Sequence, residues 1–182
     1  EILKEKFSGD ILGKFVESVR YRGGLFEECA GLFQFVHLTF QEFLAARYLA
    51  KERGRIFEEI RTHISDSWWR EVFLLMYGFA KMDHEDFANE YLAWLSSLPG
   101  GAETTLSGLE LAGSALLEIE KPKQTLKENQ ADKLSQCLFN SPLQVSANLR
   151  VRSADTLSRL GDPRPEVMTL GKMQFCYVPQ GE

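Results

Sequence analysis

Between residues 39 and 160, apolar side chains recur every three or four positions, in stretches that glycine, proline or polar residues interrupt. This spacing places the apolar side chains along one side of an α-helix, so the pattern predicts one helix after another. The short connections favour antiparallel neighbours, as in an irregular bundle or an α-solenoid, and no fixed repeat length relates the stretches. Five helices are predicted with bounds: 39–53, Trp68 to Lys81, Leu106 to Leu117, Leu126 to Leu138 and Val145 to Leu160. Two more are predicted from their residues: one is marked by Ile56, Ile60 and Ile64, and the other is capped by Asp83 and Asp86 and ends near Pro99.

Two of these helices carry further expectations. Gly54 supplies a C-terminal stop for helix 39–53, because glycine readily adopts the conformation that ends a helix. Apolar residues crowd most of the surface of the helix from Trp68 to Lys81. We therefore expect that helix to be the most buried of the chain.

The N-terminal part reads as a helix followed by a short β-hairpin. Ile11, Leu12, Phe15, Val16 and Val19 have helical spacing behind Asp10, which predicts a helix from about 10 to 21 that Asp10 caps. Two apolar runs, 25–29 and 32–36, then flank a turn at Ala30-Gly31, which indicates a hairpin. A helix and a hairpin in this order form the end of a winged-helix domain. Since the segment lacks a basic face, we expect a packing module rather than a DNA-binding one.

His37 stands between the predicted hairpin and helix 39–53. Thr39 and Glu42 have the spacing of a capping box, in which each side chain accepts a hydrogen bond from a backbone N–H group at the helix start. Two interpretations of His37 are open. It is either a buried histidine that closes the junction through a local hydrogen bond, or an imidazole that donates to an anion beside the helix N-terminus.

Composition narrows the function classes. The 182 residues carry a net charge of −5, with 10 basic and 10 acidic residues over 1–61 and 11 and 16 over 62–182, so the acidic excess lies in the second part. An acidic chain argues against nucleic acid as a partner, and no apolar run is long enough to span a membrane. The three cysteines and three histidines show no ligand spacing and no catalytic motif, so we expect no metal and no catalytic residue. Few, scattered cysteines favour a cytoplasmic location.

At the C-terminal end the helical spacing of apolar residues stops. Gly161 to Pro165 contains two prolines and reads as a turn, and residues 173–178 alternate like a β-strand. Because the sequence lacks an initial Met and ends partway through that strand, we expect it to be a piece of a longer protein.

The segment from Phe35 to Leu49, FVHLTFQEFLAARYL, resembles a hallmark of NACHT-type STAND NTPases, the pattern F-x-H-x-[ST]-F-Q-E-[FY]-x-A-A. In that family the pattern marks the end of the winged-helix domain and the start of a helical domain. By this resemblance His37 corresponds to the family histidine that contacts the phosphates of ADP and holds the resting state. The resemblance implies that the parent protein binds ATP or ADP with Mg²⁺. The nucleotide-binding core of the family is not in this sequence. We therefore expect no cofactor for this segment alone.

Two further stretches extend the resemblance. Trp68 to Val72 is similar to a helix of the same family, and residues 153–164 resemble a HEAT-like helix with its Leu-Gly-Asp-Pro-Arg turn. In several bacterial NACHT proteins that turn precedes a domain like the formylglycine-generating enzyme. The end of this sequence, residues 175–182, is similar to the beginning of such a domain.

We therefore expect a mainly α protein, with a winged-helix end and hairpin over 1–38, a HEAT-like helical arm over 39–160, and a linker with the first strand of another domain over 161–182. The predicted function is a regulatory and signal-relay segment of a NACHT-type NTPase. Its expected partners are other domains of the same protein and, on activation, further copies of it; a separate protein partner stays open, and nucleic acid and membrane are not expected. The alternatives are a helical interaction scaffold without nucleotide dependence and the approach segment of a formylglycine-generating enzyme.

Overall fold

The computed structural model describes residues 13–14, 17–18, 24–30, 32–140, 145–173, 175 and 177. Within these ranges the chain is mainly helical, with a two-stranded antiparallel hairpin followed by a helical bundle, as the sequence predicts. The strands are β1 (Phe26–Cys29) and β2 (Leu32–Phe35), and the main helices are α1 (Leu38–Lys51), α2 (Arg53–His63), α3 (Ser67–Asp83), α4 (Glu85–Leu95), α5 (Ala102–Leu117), α6 (Gln124–Asn140) and α7 (Ala147–Leu160).

The hairpin forms at the predicted place. Phe26 pairs with Phe35 and Cys29 with Leu32, and the rings of Phe26 and Phe35 lie 4.3 Å apart between centroids. Ala30, at the turn, has a φ of 52°, a left-handed conformation that few residues other than glycine adopt. The predicted helix over 10–21 lies largely outside the described residues, although Gly13, Lys14, Glu17 and Ser18 are helical.

Helix α5 lies at the centre of the bundle. It contacts α3, α4, α6 and α7, and every residue from Leu106 to Leu116 is buried. The expectation that α3 is the most buried helix was wrong. Small residues let neighbouring helices approach α5 closely: a Cβ added at Gly108 would lie 2.6 Å from the carbonyl oxygen of Leu95. The number of bulky apolar side chains favours α3 over α5 and misses this close approach.

Several predicted helix ends were wrong. Helix α1 ends at Lys51, and the break falls at Glu52, with φ −94° and ψ 60°, while Gly54 lies inside the first turn of α2. Asp83 is the last residue of α3 rather than a cap of α4, and its carboxylate accepts a hydrogen bond from Arg47 at 3.1 Å. Asp86 lies in the first turn of α4, where the cap residue is His84.

After α7 the chain turns at Gly161, whose φ is 105°. Asp162 accepts hydrogen bonds from the side chain of Arg164, and that guanidinium lies 3.7 Å above the ring centre of Phe139. A single helical turn, α8 (Pro165–Met168), and a short 3₁₀ turn at Leu170–Lys172 follow. Among residues 173–178, the described ones (173, 175 and 177) do not form the predicted strand, and the others lie outside the described residues. No helix in the described ranges is both long enough and apolar enough to cross a membrane.

Candidate functional site at the hairpin–helix junction

The junction between β2 and α1 places His37 at the start of α1. The backbone N–H of Val36 donates to the carbonyl oxygen of Leu25 at 2.9 Å, which fixes the end of the hairpin. His37 is then the N-cap residue, with an extended backbone (φ −126°, ψ 129°), and its carbonyl oxygen accepts from the N–H of Phe40 at 3.1 Å. These bonds are all made by the backbone, so none of them uses the imidazole.

The side chain of His37 is exposed and makes no hydrogen bond that caps the helix. Its ring lies 5.9 Å from the ring of Phe40, at an interplanar angle of 49°. The interpretation of His37 as a buried histidine was therefore wrong. The interpretation as a donor to an anion stays a prediction, and the exposed ring at the positive end of a 14-residue helix is compatible with it.

The predicted capping box does not form as expected. A capping box requires Thr39 to be the residue before the helix, but α1 begins at Leu38. Thr39 is then the second helical residue and Glu42 the fifth. The N-cap position falls to His37 because the hairpin already holds its backbone extended.

Beside His37, α1 presents large apolar side chains on its outer side. Phe40, Phe43, Leu44 and Tyr48, which we call the aromatic face, are 40 to 49% exposed. Ala46, on the other side of the helix, is fully buried against the core. The aromatic face is only partly exposed, because the ring of Phe43 lies 5.2 Å from that of Phe79 in α3 and Arg55 donates to the hydroxyl of Tyr48 at 2.9 Å.

A shallow groove of about 150 Å³ runs between the N-terminal ends of α1 and α3. Leu38 and Ala45 line it on one side, and Trp68 and Val72 on the other. Trp68 is the most exposed of these side chains. The groove adds apolar surface next to the junction but brings no titratable cluster to it.

A buried charged cluster, which the sequence patterns did not predict, joins three helices. The carboxylate of Glu110 (α5) is 1% exposed and accepts from Arg70 (α3) at 2.7 Å and from Arg152 (α7) at 3.0 Å. Ser114 and Thr156 donate to the same carboxylate at 2.7 and 3.2 Å. A signal was present in the sequence, since Glu110 is the one charged residue between Leu106 and Leu117.

The electrostatics of this cluster keep Glu110 ionised. Burial acts to raise the pKa of Glu110, but the hydrogen bonds and positive charge of Arg70, the bond from Ser114 and the charge of Arg152 together outweigh it. The pKa of Glu110 is therefore lowered. Such a fully bonded carboxylate is suited to hold helices together rather than to transfer protons.

Among the residues that the structure describes, the remaining histidines and cysteines form no reactive site. The ring of His63 stacks on Trp69 at 4.3 Å between centroids, and His84 starts α4. Cys29 and Cys137 are free thiols, and burial raises the pKa of Cys137, which makes it less reactive. Across the described part of the chain, no group of three histidine, cysteine or acidic residues could hold a metal ion.

Comparisons of this chain with protein-family models, with curated proteins and with solved structures found no match. The resemblance of the junction to NACHT-type proteins therefore rests on the residues of the Phe35 to Leu49 segment.

Proposed function

We propose that this chain is the regulatory and signal-relay segment of a NACHT-type signalling NTPase, with His37 as its contact to the bound nucleotide. The observation that supports the proposal is the exposed imidazole at the N-terminus of α1, within the family-like segment Phe35 to Leu49. An exposed imidazole in this position is able to donate to a phosphate oxygen, and the helix end adds favourable electrostatic potential.

The fit to a nucleotide is partial. Among the described residues, His37 is the one group that the proposal assigns to the nucleotide. ATP or ADP and its Mg²⁺ would be held by an upstream nucleotide-binding core, and His37 would favour the ADP-bound packing of that core.

The packing of the bundle supports a relay role. Helix α1, which starts after His37, packs against α3, and α3 shares the Glu110 cluster with α5 and α7. A change in the position of α1 would therefore act on buried, closely packed surfaces as far as α7. Rigid elements in contact are the physical means by which a local change reaches a distant one.

The test uses the intact protein that contains this chain. We expect His37→Ala to weaken ADP retention and to raise basal signalling activity, because the resting state loses a contact that the active state does not make. Bound ADP is measured after rapid desalting, and oligomerisation is followed by light scattering.

His84→Ala is the matched control. His84 is also an exposed residue at a helix start, and its side chain also makes no capping hydrogen bond, but it lies outside the family-like segment. It should leave ADP retention unchanged. If His37→Ala and His84→Ala both retain ADP as the parent protein does, the nucleotide contact is refuted and the helical scaffold becomes the better proposal.

A further inference from the structure

A groove of about 360 Å³ lies between α4 and α6. Both helices pack against α5 but hardly contact each other, so a gap stays open above Leu116 of α5. The volume of this gap is within the range of small-molecule sites in proteins. None of the described residues that line it belongs to α1 or to the hairpin, so the groove is separate from the junction site.

Side-chain interactions show how α4 and α6 are aligned along the groove. The hydroxyl of Ser96, which follows α4, donates to the side chain of Gln130 in α6 at 2.7 Å. Gln130 is buried, and its amide donates to a backbone carbonyl of α5 at 2.8 Å, which fixes this wall of the groove. The hydrogen bond and charge of Lys81 lower the pKa of Glu85 at the start of α4, and the charge of Lys123 adds to this effect. Lys123 is therefore close to the start of α4, and the two helices run in the same direction.

The groove carries positive charge at both ends. Lys123 directly precedes α6, and Lys133 lies ten residues further on, a rise of about 15 Å along the helix. Among the described residues that line the groove there is no carboxylate, and the acidic residues of α6, Glu128 and Asp132, do not line it. The groove is thus basic within the part of the chain that holds the acidic excess, and it attracts anions.

Between the two lysines the groove combines apolar and amide groups. Leu92 and Leu116 are buried beneath it, and Leu126, at 41% exposed, borders it. Asn89 and Asn129 line it as well, and no hydrogen bond within the described residues uses their side-chain amides. An amide group is able to donate to a negatively charged oxygen. An elongated ligand with a negative group at each end and an apolar middle would satisfy all of these groups.

We propose that this groove binds a small, elongated organic dianion, with its two negative groups paired to Lys123 and Lys133 and its apolar middle above Leu116. The side chains of Asn89 and Asn129 donate hydrogen bonds to it. Because the ligand bridges α4 and α6, which contact each other little, its binding stabilises the helical arm. The site does not depend on the proposed nucleotide contact, since it shares no residue with the junction.

The first test titrates the full chain with suberate, a flexible dicarboxylate, and follows the backbone amide signals by two-dimensional NMR. We expect saturable binding, with shifts centred on Asn89, Ala93 and Asn129. Succinate has the same two charges but is too short to reach both lysines, and octanoate has the same chain length but one charge. Each should bind about threefold more weakly or worse, because it loses one ion pair at an exposed site. Equal binding of succinate and suberate would overturn the proposal, as would the absence of saturable binding of suberate.

The second test locates the ligand with single substitutions, and the NMR spectrum of each variant confirms that it is folded. Lys123→Gln and Lys133→Gln should each weaken suberate binding about threefold, whereas Lys127→Gln, on the same helix but outside the groove, should leave it unchanged. Asn89→Asp places a carboxylate in the groove and should also weaken binding. Asn148→Asp adds the same charge to an exposed position of α7 and is its control. Equal effects of Lys127→Gln and Lys133→Gln, or of Asn89→Asp and Asn148→Asp, would contradict the proposal.

Discussion

At the scale of single residues, Glu110 is the charged residue that the described part of the chain buries most deeply. Its carboxylate has almost no contact with solvent, and Arg70 and Arg152 approach it from two different helices. A buried carboxylate is tolerated only when its charge and its hydrogen-bond acceptors are compensated. The two arginines are less buried, at 27 and 36% exposed, so either of them can regain water if its partner is lost.

This asymmetry predicts that the two arginines contribute unequally. Arg70 donates two bonds to Glu110 and one to Ser114, whereas Arg152 donates one bond to Glu110. We expect Arg70→Ala to lower the free energy of unfolding by roughly 3 kcal/mol, because it leaves a buried charge poorly compensated. Arg152→Ala should cost about half as much, and urea denaturation measures both values. Equal losses for the two variants would show that the bonds to Arg70 are not the dominant ones.

At the scale of helices, the glycines of α5 and α3 differ in what surrounds them. Gly108 in α5 faces the backbone of Leu95, whereas Gly78 in α3 is exposed with open space around it. Glycine inside a helix is less favourable than alanine, so the same substitution should have opposite effects at the two positions.

We expect Gly78→Ala to raise the free energy of unfolding by about 0.5–1 kcal/mol, the usual gain in helix propensity. Gly108→Ala should lower it by about 1–3 kcal/mol, since the new methyl group would push α4 away from α5. Thermal and urea denaturation of the two variants, which serve as controls for one another, check the prediction. A stabilised Gly108→Ala would mean that α4 and α5 approach each other less closely than described.

The sequence predicted the helices but not their relative burial. Periodic apolar residues such as Ile56 and Ile60 marked α2 correctly, because a one-sided pattern reflects one-sided burial. Helix α5 was underrated because Ser107, Gly108 and Glu110 look polar or weakly apolar, while in the fold they are buried through close packing and ion pairing. Such pairing depends on residues about 40 positions away, which local patterns do not contain.

Local sequence patterns were also insufficient at the junction between β2 and α1. The hairpin and the position of His37 were predicted, but the exposure of the imidazole was not. The exposure of the His37 imidazole depends on how α1 is oriented against α3. Helix α1 carries apolar residues on more than one side, so its sequence alone does not define that orientation. Here the side with Ala46 and Leu49 packs inward, because small and branched residues allow α1 to approach α3 more closely than aromatic ones.

At the scale of the whole molecule, one hydrophobic core extends from α1 to α7. Its buried residues run without a break in contact from Ala46 to Leu160, which favours the helical arm of 39–160 as a single cooperative unit. The Glu110 cluster lies within this core and ties α3 to α7. Loss of its charge should therefore affect the stability of the whole arm rather than of one helix.

We expect acid to lower the stability of the fold, because it protonates carboxylates that the folded protein holds ionised. The pKa values of Glu110 and Asp162 are both lowered in the folded protein. The ordinary pKa of glutamate is about 4.3. Below that pH the unfolded chain therefore takes up protons that the folded chain does not. These two groups stabilise the fold above that pH, and their contribution is lost as the pH falls through their folded pKa values. We expect the free energy of unfolding, measured by urea denaturation between pH 3 and pH 7, to fall below about pH 4.3. Glu110→Gln should be less stable at pH 7 and should fall less steeply in acid, and an unchanged slope would assign the acid sensitivity to other carboxylates.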